Sequence, residues 1–464
     1  MIRYVSTRGS APALTFGDVL LTGLARDGGL YVPEEWPQLL PEQLQRFADR
    51  PYDAVAVEVM WPFVEGTIDR GTFESIVFDA YSRFDHPDVA PLRELGKNTY
   101  LLELFHGPTL SFKDYALQLV GLLFEHELEA RGERVTIVGA TSGDTGSAAI
   151  DAVKDREGID IFMLHPEGRV SDVQRRQMTT VHSPNVHNIA IDGTFDDCQD
   201  LVKAMFGDEE FRDRHQLSAV NSINFGRILA QVVYYVKTAA ALGAPDRNVA
   251  FSVPTGNFGN VFAGWVARSM GVPITSLIVG SNENDILTRF LRTGVMEMLD
   301  VVATTSPAMD IQVSSNFERL LFELLGRDGE EVADRMWRFR DEGRIDLADV
   351  LDPMREVFSG ARIDDAATAR VIRATLERSN QVVDPHTAVG LGAGALLHDD
   401  PSTPLVCIST AHPAKFPDAV EYAIGVRPEL PESMADLFDR EERSVTLPND
   451  LSAVEHHIDT VLNA

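Results

Sequence analysis

Short runs of aliphatic and β-branched residues recur through most of the chain, each closed by a glycine-containing turn and followed by an amphipathic stretch. Val135–Val138, Ile159–Leu164, Val186–Ile191, Asn248–Val253, Ile274–Val279 and Pro404–Ile408 are the examples. This alternation predicts wound α/β sheets. It begins near Thr99. Before that, residues 1–95 carry Pro, Gly and scattered aromatics, with helical patterns only at Pro41–Ala48 and Tyr52–Val64, and are expected to form a separate N-terminal domain. Residues 96–245 are expected to form a smaller α/β lobe and residues 246–464 a larger one. Within the larger lobe, Gly326–Asn380 is charged and helical in character and reads as an insertion packed on the outside; from Pro428 the chain reads as an acidic tail ending in a helix. No internal repeat or low-complexity tract interrupts the pattern.

Composition narrows the class. A chain of 464 residues with 44% hydrophobic content can bury two or three cores. Its 71 acidic and 41 basic residues leave a formal charge of −30, which opposes a phosphate backbone, so no nucleic-acid partner is expected. An anionic small substrate then needs a locally basic pocket, effective at short range where salt screens the distant carboxylates. The two cysteines, Cys198 and Cys407, have neither disulfide nor zinc spacing, and no metal is expected. The N-terminus lacks an apolar signal core and no run approaches the roughly 20 apolar residues of a membrane span, so no membrane partner and a cytoplasmic location are the expectations. No heptad or self-complementary patch stands out, which leaves monomer or homodimer open.

Chemistry concentrates in a few loops. His106-Gly107-Pro108-Thr109-Leu110-Ser111-Phe112-Lys113-Asp114 delivers Lys113 to the first turn of a predicted helix, where the helix dipole favours a free amine. Alone, the segment reads more readily as a solvated lysine beside an N-terminal acid. Gly139-Ala140-Thr141-Ser142-Gly143-Asp144-Thr145-Gly146-Ser147 joins a strand to a helix with small residues and hydroxyls, suited to an anion; the plainer reading is a tight turn with Asp144 or Thr145 as N-cap. Neither dinucleotide nor Walker spacing is present. Pro254-Thr255-Gly256-Asn257-Phe258-Gly259-Asn260 is a second loop of the same kind, and two such loops with one positioned lysine ask for a phosphorylated cofactor and an acidic ligand. Asn221-Ser222-Ile223-Asn224-Phe225-Gly226-Arg227 enters a helix with a guanidinium beside amide and hydroxyl donors, a shape matched to phosphate, although a surface ion pair would use the same arginine. Two later segments, Asp384-Pro385-His386-Thr387-Ala388 and Ser409-Thr410-Ala411-His412-Pro413-Ala414-Lys415-Phe416, complete the set. Ser409 and Thr410 follow a strand, at the end where open α/β sheets bind ligands. Loop histidines next to proline usually satisfy backbone groups, so His386 and His412 are not counted as catalytic.

Taken together with Asp27-Gly28-Gly29-Leu30-Tyr31-Val32-Pro33, Asn282-Glu283-Asn284-Asp285 and Met309-Asp310-Ile311, these segments resemble the threonine synthases of the pyridoxal phosphate (PLP) fold-type II group, in their longer bacterial and fungal form. The resemblance implies two wound lobes with an N-terminal extension, the lysine and substrate-phosphate loops in the smaller lobe and the cofactor-phosphate loop in the larger. It implies PLP held by Lys113, its phosphate on the amides of Gly256, Asn257, Phe258, Gly259 and Asn260, Asp144 near the ring 3-oxygen, and Thr410 or else Ser409 near the ring nitrogen. An acid at position 144 needs a proton or a donor beside it to avoid repelling a phenolate. The implied substrate is O-phosphohomoserine, with its phosphate on Thr141, Thr145, Asn221, Ser222 and Arg227 and its carboxylate near Ser142 and Gly143. The implied reaction is γ-elimination of phosphate and β-addition of water to give threonine. A serine or threonine dehydratase or a cysteine synthase would share the lysine and cofactor loop but need no second phosphate site, and a silent PLP- or phospho-ligand-binding homologue would share everything but turnover.

Overall fold

The computed structural model describes residues 1–463, which form two compact units that are each discontinuous in sequence: Met1–Ala116 with Ser222–Pro428, and Leu117–Asn221 with residues 429–463.

The larger unit is built on a six-stranded sheet in the order Phe358–Arg362, Ile274–Ser281, Val249–Pro254, Leu405–Ser409, Thr99–Glu103, Leu92–Gly96. All neighbours are parallel except the last pair, a hairpin at one edge. Parallel strands covered on both faces must be apolar throughout, and Val249–Pro254 and Leu405–Ser409 are buried at every position. Helix Pro385–Leu397 packs along this sheet, with Asp384 as N-cap and Pro385 in the first turn, so His386 lies at a helix start and not in a loop. The expected outer insertion, 326–380, contributes helices Gly329–Glu342, Ala348–Arg355 and Asp365–Ser379 and also the sheet's edge strand Phe358–Arg362. That strand's sequence holds one large apolar residue, so no strand period shows in it and only the pairing with Leu277–Ser281 reveals it.

Residues 1–116 belong to this unit. The aromatic rings of Tyr4 and Phe63 pack on Phe225, and Arg8 pairs with the buried Glu318 at 3.0 Å. Arg319 is fully buried and ties three segments together: Nε donates to the Tyr31 carbonyl at 3.0 Å, Nη2 to the Ile223 carbonyl at 2.6 Å, and Nη1 to the Asn316 side chain. Burial pulls its guanidinium down to about 9, against the pull of Glu318. Arg319→Met keeps the volume but removes the donor to three acceptors, two of them on buried residues. We expect it to lower the unfolding free energy by about 3 kcal/mol, read as a fall in the thermal midpoint.

The smaller unit holds a five-stranded parallel sheet in the order Val445–Pro448, Val186–Asp192, Ile159–Pro166, Val135–Ala140, Leu217–Ser218. The C-terminal segment supplies both the edge strand Val445–Pro448 and helix Leu451–Leu462, whose Val454 and Ile458 join the core with Ile189, Cys198 and Leu201. No helix among the described residues is long and apolar enough to cross a membrane, and no described group of His, Cys, Asp and Glu is disposed to hold a metal ion.

Candidate active site

Three of the chemically suggestive segments leave the C-terminal ends of three adjacent parallel strands in the larger sheet. Thr99–Glu103 leads to the lysine loop, Leu405–Ser409 to Thr410, and Val249–Pro254 to Gly256–Asn260. Backbone bonds then join the first two. Leu104 N–H donates to the Ser409 carbonyl at 2.9 Å, Phe112 N–H to the Thr410 carbonyl at 2.8 Å, and His412 N–H to the Leu110 carbonyl at 3.0 Å. Lys415, fully buried, adds a bond from Nζ to the Thr109 carbonyl at 2.6 Å. Lys113 and the Ser409–Thr410 pair are therefore parts of one hydrogen-bonded frame.

The lysine loop is held tightly within itself. Asp114, completely buried in the first helical turn, accepts from Thr109 N at 2.9 Å and Thr109 Oγ1 at 2.6 Å. Leu110 is forced to a positive φ of 62°, a conformation that a bulky side chain adopts only where its surroundings insist. Lys113 itself opens helix Lys113–Arg131, is buried, and carries Nζ 5.2 Å from the centre of the Phe112 ring.

At the start of the same loop, Glu103 is buried and accepts from Arg93 Nε at 2.6 Å and His106 Nε2 at 2.9 Å. Burial pushes its carboxyl up, but the His106 and Arg93 hydrogen bonds outweigh this and hold it below the ordinary glutamate range. A depressed folded-state value contributes stability at neutral pH that is lost as pH falls through it. Glu103→Gln is therefore expected to cost about 1–2 kcal/mol at pH 7, with the gap to the parent protein closing below about pH 4, in unfolding curves recorded across that range.

The loop after Val249–Pro254 is shaped for an anion. Helix Gly259–Ser269 starts behind Phe258, which sits at a φ of 65° and offers no side-chain cap, so the first-turn amides are left to a ligand. Gly256 tolerates no side chain, since a Cβ there would lie 2.6 Å from the Ala308 carbonyl oxygen. Asn316 braces the loop: its N–H reaches the Asn257 carbonyl at 3.1 Å and its Nδ2 the Asn257 and Ser222 carbonyls at 3.0 Å. Asn260 Oδ1 accepts from Tyr234 and Tyr235 at 2.8 Å, which leaves its buried Nδ2 without a partner among the described residues. Ser111 Oγ is likewise buried and unpartnered. Uncommitted buried donors, an uncapped helix start and a glycine wall fit a phosphorylated, hydrogen-bonding cofactor such as PLP.

Ser409 and Thr410 differ in their surroundings. Ser409 Oγ lies 3.1 Å from Thr387 Oγ1, whereas the Thr410 hydroxyl has no hydrogen-bond partner among the described residues. His412 is pushed down to about 4 by burial and by His106, and its Nδ1 accepts from Ala414 N–H at 3.2 Å, so it is neutral near pH 7 and serves a backbone turn.

Arg227 stands in the first turn of helix Phe225–Ala241, whose N-cap Asn224 accepts from Gly226 N–H. It is buried, and burial pulls its guanidinium down to about 10. A cation placed there opposes both the low dielectric and the positive end of the helix dipole, and a bound dianion would relieve both.

In the smaller unit, Thr141, Ser142, Gly143, Asp144 and Thr145 follow strand Val135–Ala140, with Asn221 after the short strand Leu217–Ser218. The helix N-cap is Gly143, not Asp144 or Thr145, and no side chain caps it. Thr141 Oγ1 instead accepts from Gly143 and Gly146 N–H at 2.9 Å. Gly143 has a φ of 137°, and a Cβ on it would sit 2.5 Å from the Gln174 side chain. Gln174, invisible as a motif, donates through Nε2 to Asp144 Oδ1 at 2.7 Å while its Oε1 accepts from Ser171 Oγ at 2.9 Å. It is the donor that an acid at this position requires.

Comparisons with known proteins find relatives along most of the chain. Residues 3–81 match the family described as threonine synthase N terminus, residues 86–337 the pyridoxal-phosphate dependent enzymes, and residues 387–458 threonine synthase, C-terminal. A threonine synthase of Pseudomonas aeruginosa is 53% identical, covering 98% of this chain and 97% of its own. The crystal structure of PLP-bound threonine synthase from Brucella melitensis is 51% identical with a TM-score of 0.97 and full coverage of both chains. The yeast threonine synthase structure is 38% identical with a TM-score of 0.94 and covers 99% of each chain. With the lysine, the uncapped anion loop and the doubly wound sheets in the order described, the chain belongs to the threonine synthase family of PLP-dependent enzymes.

Proposed function

We propose that the protein converts O-phospho-L-homoserine and water to L-threonine and inorganic phosphate, with PLP as cofactor. The observation that carries the choice of substrate is Arg227, a guanidinium buried in the first turn of a helix in a chain of net charge −30. A small hydroxyamino acid carries no phosphate for a guanidinium to recognise.

When bound, PLP supplies a conjugated ring that delocalises the charge left at Cα after a proton departs. In this reading Lys113 holds the cofactor and its amine moves protons at Cα and Cβ of the substrate. The amides of Gly256, Asn257, Phe258, Gly259 and Asn260 would hold the cofactor phosphate, the Thr410 hydroxyl would serve the ring nitrogen, and Asp144, kept in place by Gln174, would serve the 3-oxygen. Arg227 and Ser222, with Thr141, Thr145 and Asn221, take the substrate phosphate and stabilise it as it leaves Cγ. Ser142 and Gly143 take the substrate carboxylate. Water then adds at Cβ.

The test is phosphate release and threonine formation from O-phosphohomoserine by the purified protein, with L-serine and L-threonine as comparison substrates. Equimolar phosphate and threonine support the reading. Keto-acid formation from serine or threonine, without threonine from O-phosphohomoserine, would move the protein to the dehydratases; PLP binding with no turnover would make it a silent homologue.

A further inference from the structure

We propose that Asp384 is a positioning residue that organises both ends of the cofactor site, through Thr387 toward the hydroxyls of Ser409 and Thr410 and through His386 toward the wall behind Gly256. The inference rests on the PLP reading of that site.

Asp384 is completely buried at the start of helix Pro385–Leu397, and both of its oxygens act as acceptors. Oδ1 takes the His386 N–H and His386 Nδ1, each at 2.9 Å; Oδ2 takes the Thr387 hydroxyl. Thr387 has a single hydroxyl proton, and it is directed at the carboxylate. Toward its other neighbours Thr387 Oγ1 can only accept, and it does so from Thr410 N–H at 3.2 Å and from Ser409 Oγ at 3.1 Å. Ser409 is thereby made the donor of that last bond, and its proton is committed to Thr387. The hydroxyl that keeps a proton for a ligand at this strand end is Thr410. The choice between two adjacent hydroxyls is thus made by a carboxylate that need not touch the cofactor.

The second arm follows the same bookkeeping of protons. His386 Nδ1 must carry a hydrogen to reach Asp384, so Nε2 is an acceptor, and it receives the Ala308 N–H at 3.2 Å. Ala308 is the residue whose carbonyl abuts Gly256, and Ser314 Oγ donates to the Gly256 carbonyl at 2.7 Å. One carboxylate fixes one histidine tautomer, which seats the segment against which the phosphate loop is moulded. His386 is in this way a positioning residue and not an acid or base.

The two arms make separable predictions. Full-length protein stripped of cofactor is titrated with PLP and with pyridoxal, which lacks the phosphate, following tryptophan fluorescence, and the thermal midpoint of the stripped protein serves as the control for folding. Thr387→Val removes the hydroxyl at constant shape and is expected to weaken PLP and pyridoxal alike, by about tenfold, with Thr387→Ser restoring both. His386→Leu is expected to weaken PLP by about tenfold but pyridoxal by less than about twofold, and His386→Gln, which can donate and accept at the same two points, to recover PLP binding. Asp384→Asn should combine both losses; if that variant does not fold, the arm variants decide the matter. Unchanged binding of both ligands by Thr387→Val, or an equal loss of pyridoxal and PLP in His386→Leu, overturns the proposal. Failure of the parent protein to bind PLP would instead overturn the reading of the site on which it rests.

Discussion

Lys113→Ala is expected to lose threonine formation by at least about a thousandfold, because the same amine that anchors the cofactor also moves the substrate's protons. Borohydride reduction of the PLP-loaded parent protein followed by peptide mapping should place the adduct on Lys113, and the Ala variant should show none. Lys415 is the informative competitor. It is buried beside the same loop, but its Nζ is bonded to the Thr109 carbonyl at 2.6 Å and so acts as a strut of the frame. An adduct on Lys415, or substantial turnover by Lys113→Ala, would remove Lys113 from its role.

For Arg227→Ala the expected result is retained PLP absorbance with kcat/KM for O-phosphohomoserine lowered by about a thousandfold, the loss of two charge-assisted hydrogen bonds to a phosphate. The parent protein pays for a guanidinium buried in the first turn of a helix, where burial holds it down to about 10. With PLP bound to both proteins, inorganic phosphate should therefore raise the thermal midpoint of the parent protein and leave that of Arg227→Ala unmoved. Arg227→Lys should recover part of the activity, limited by the loss of bidentate geometry. Equal kcat/KM in parent and Ala variant would take Arg227 out of the substrate site.

Much of this architecture is legible along the chain because its causes are local. Val249–Pro254 and Leu405–Ser409 read as strands because strands covered on both faces must be apolar throughout, and the turns after them are marked by small residues and hydroxyls. Asp384-Pro385-His386, read along the chain as a loop, instead opens a helix, where an acceptor before proline satisfies the first free amides. Edge strand Phe358–Arg362 escapes such reading because a single buried residue, Phe358, and a Ser-Gly-Ala centre carry no period.

The partners that give the site residues their chemistry belong to a different level. Gln174 lies thirty positions from Asp144 in sequence, and Thr387 twenty-two from Ser409; no spacing rule links them, since they meet only when separate strands and helices pack. Residue type and local pattern determined six of the strands, the loops at their ends, the lysine and the arginine. Which of Ser409 and Thr410 retains a proton, which atom steadies Asp144, and why Gly256 admits no side chain were decided by tertiary packing, because hydrogen-bond direction and steric exclusion depend on neighbours that only the folded chain brings within about 3 Å.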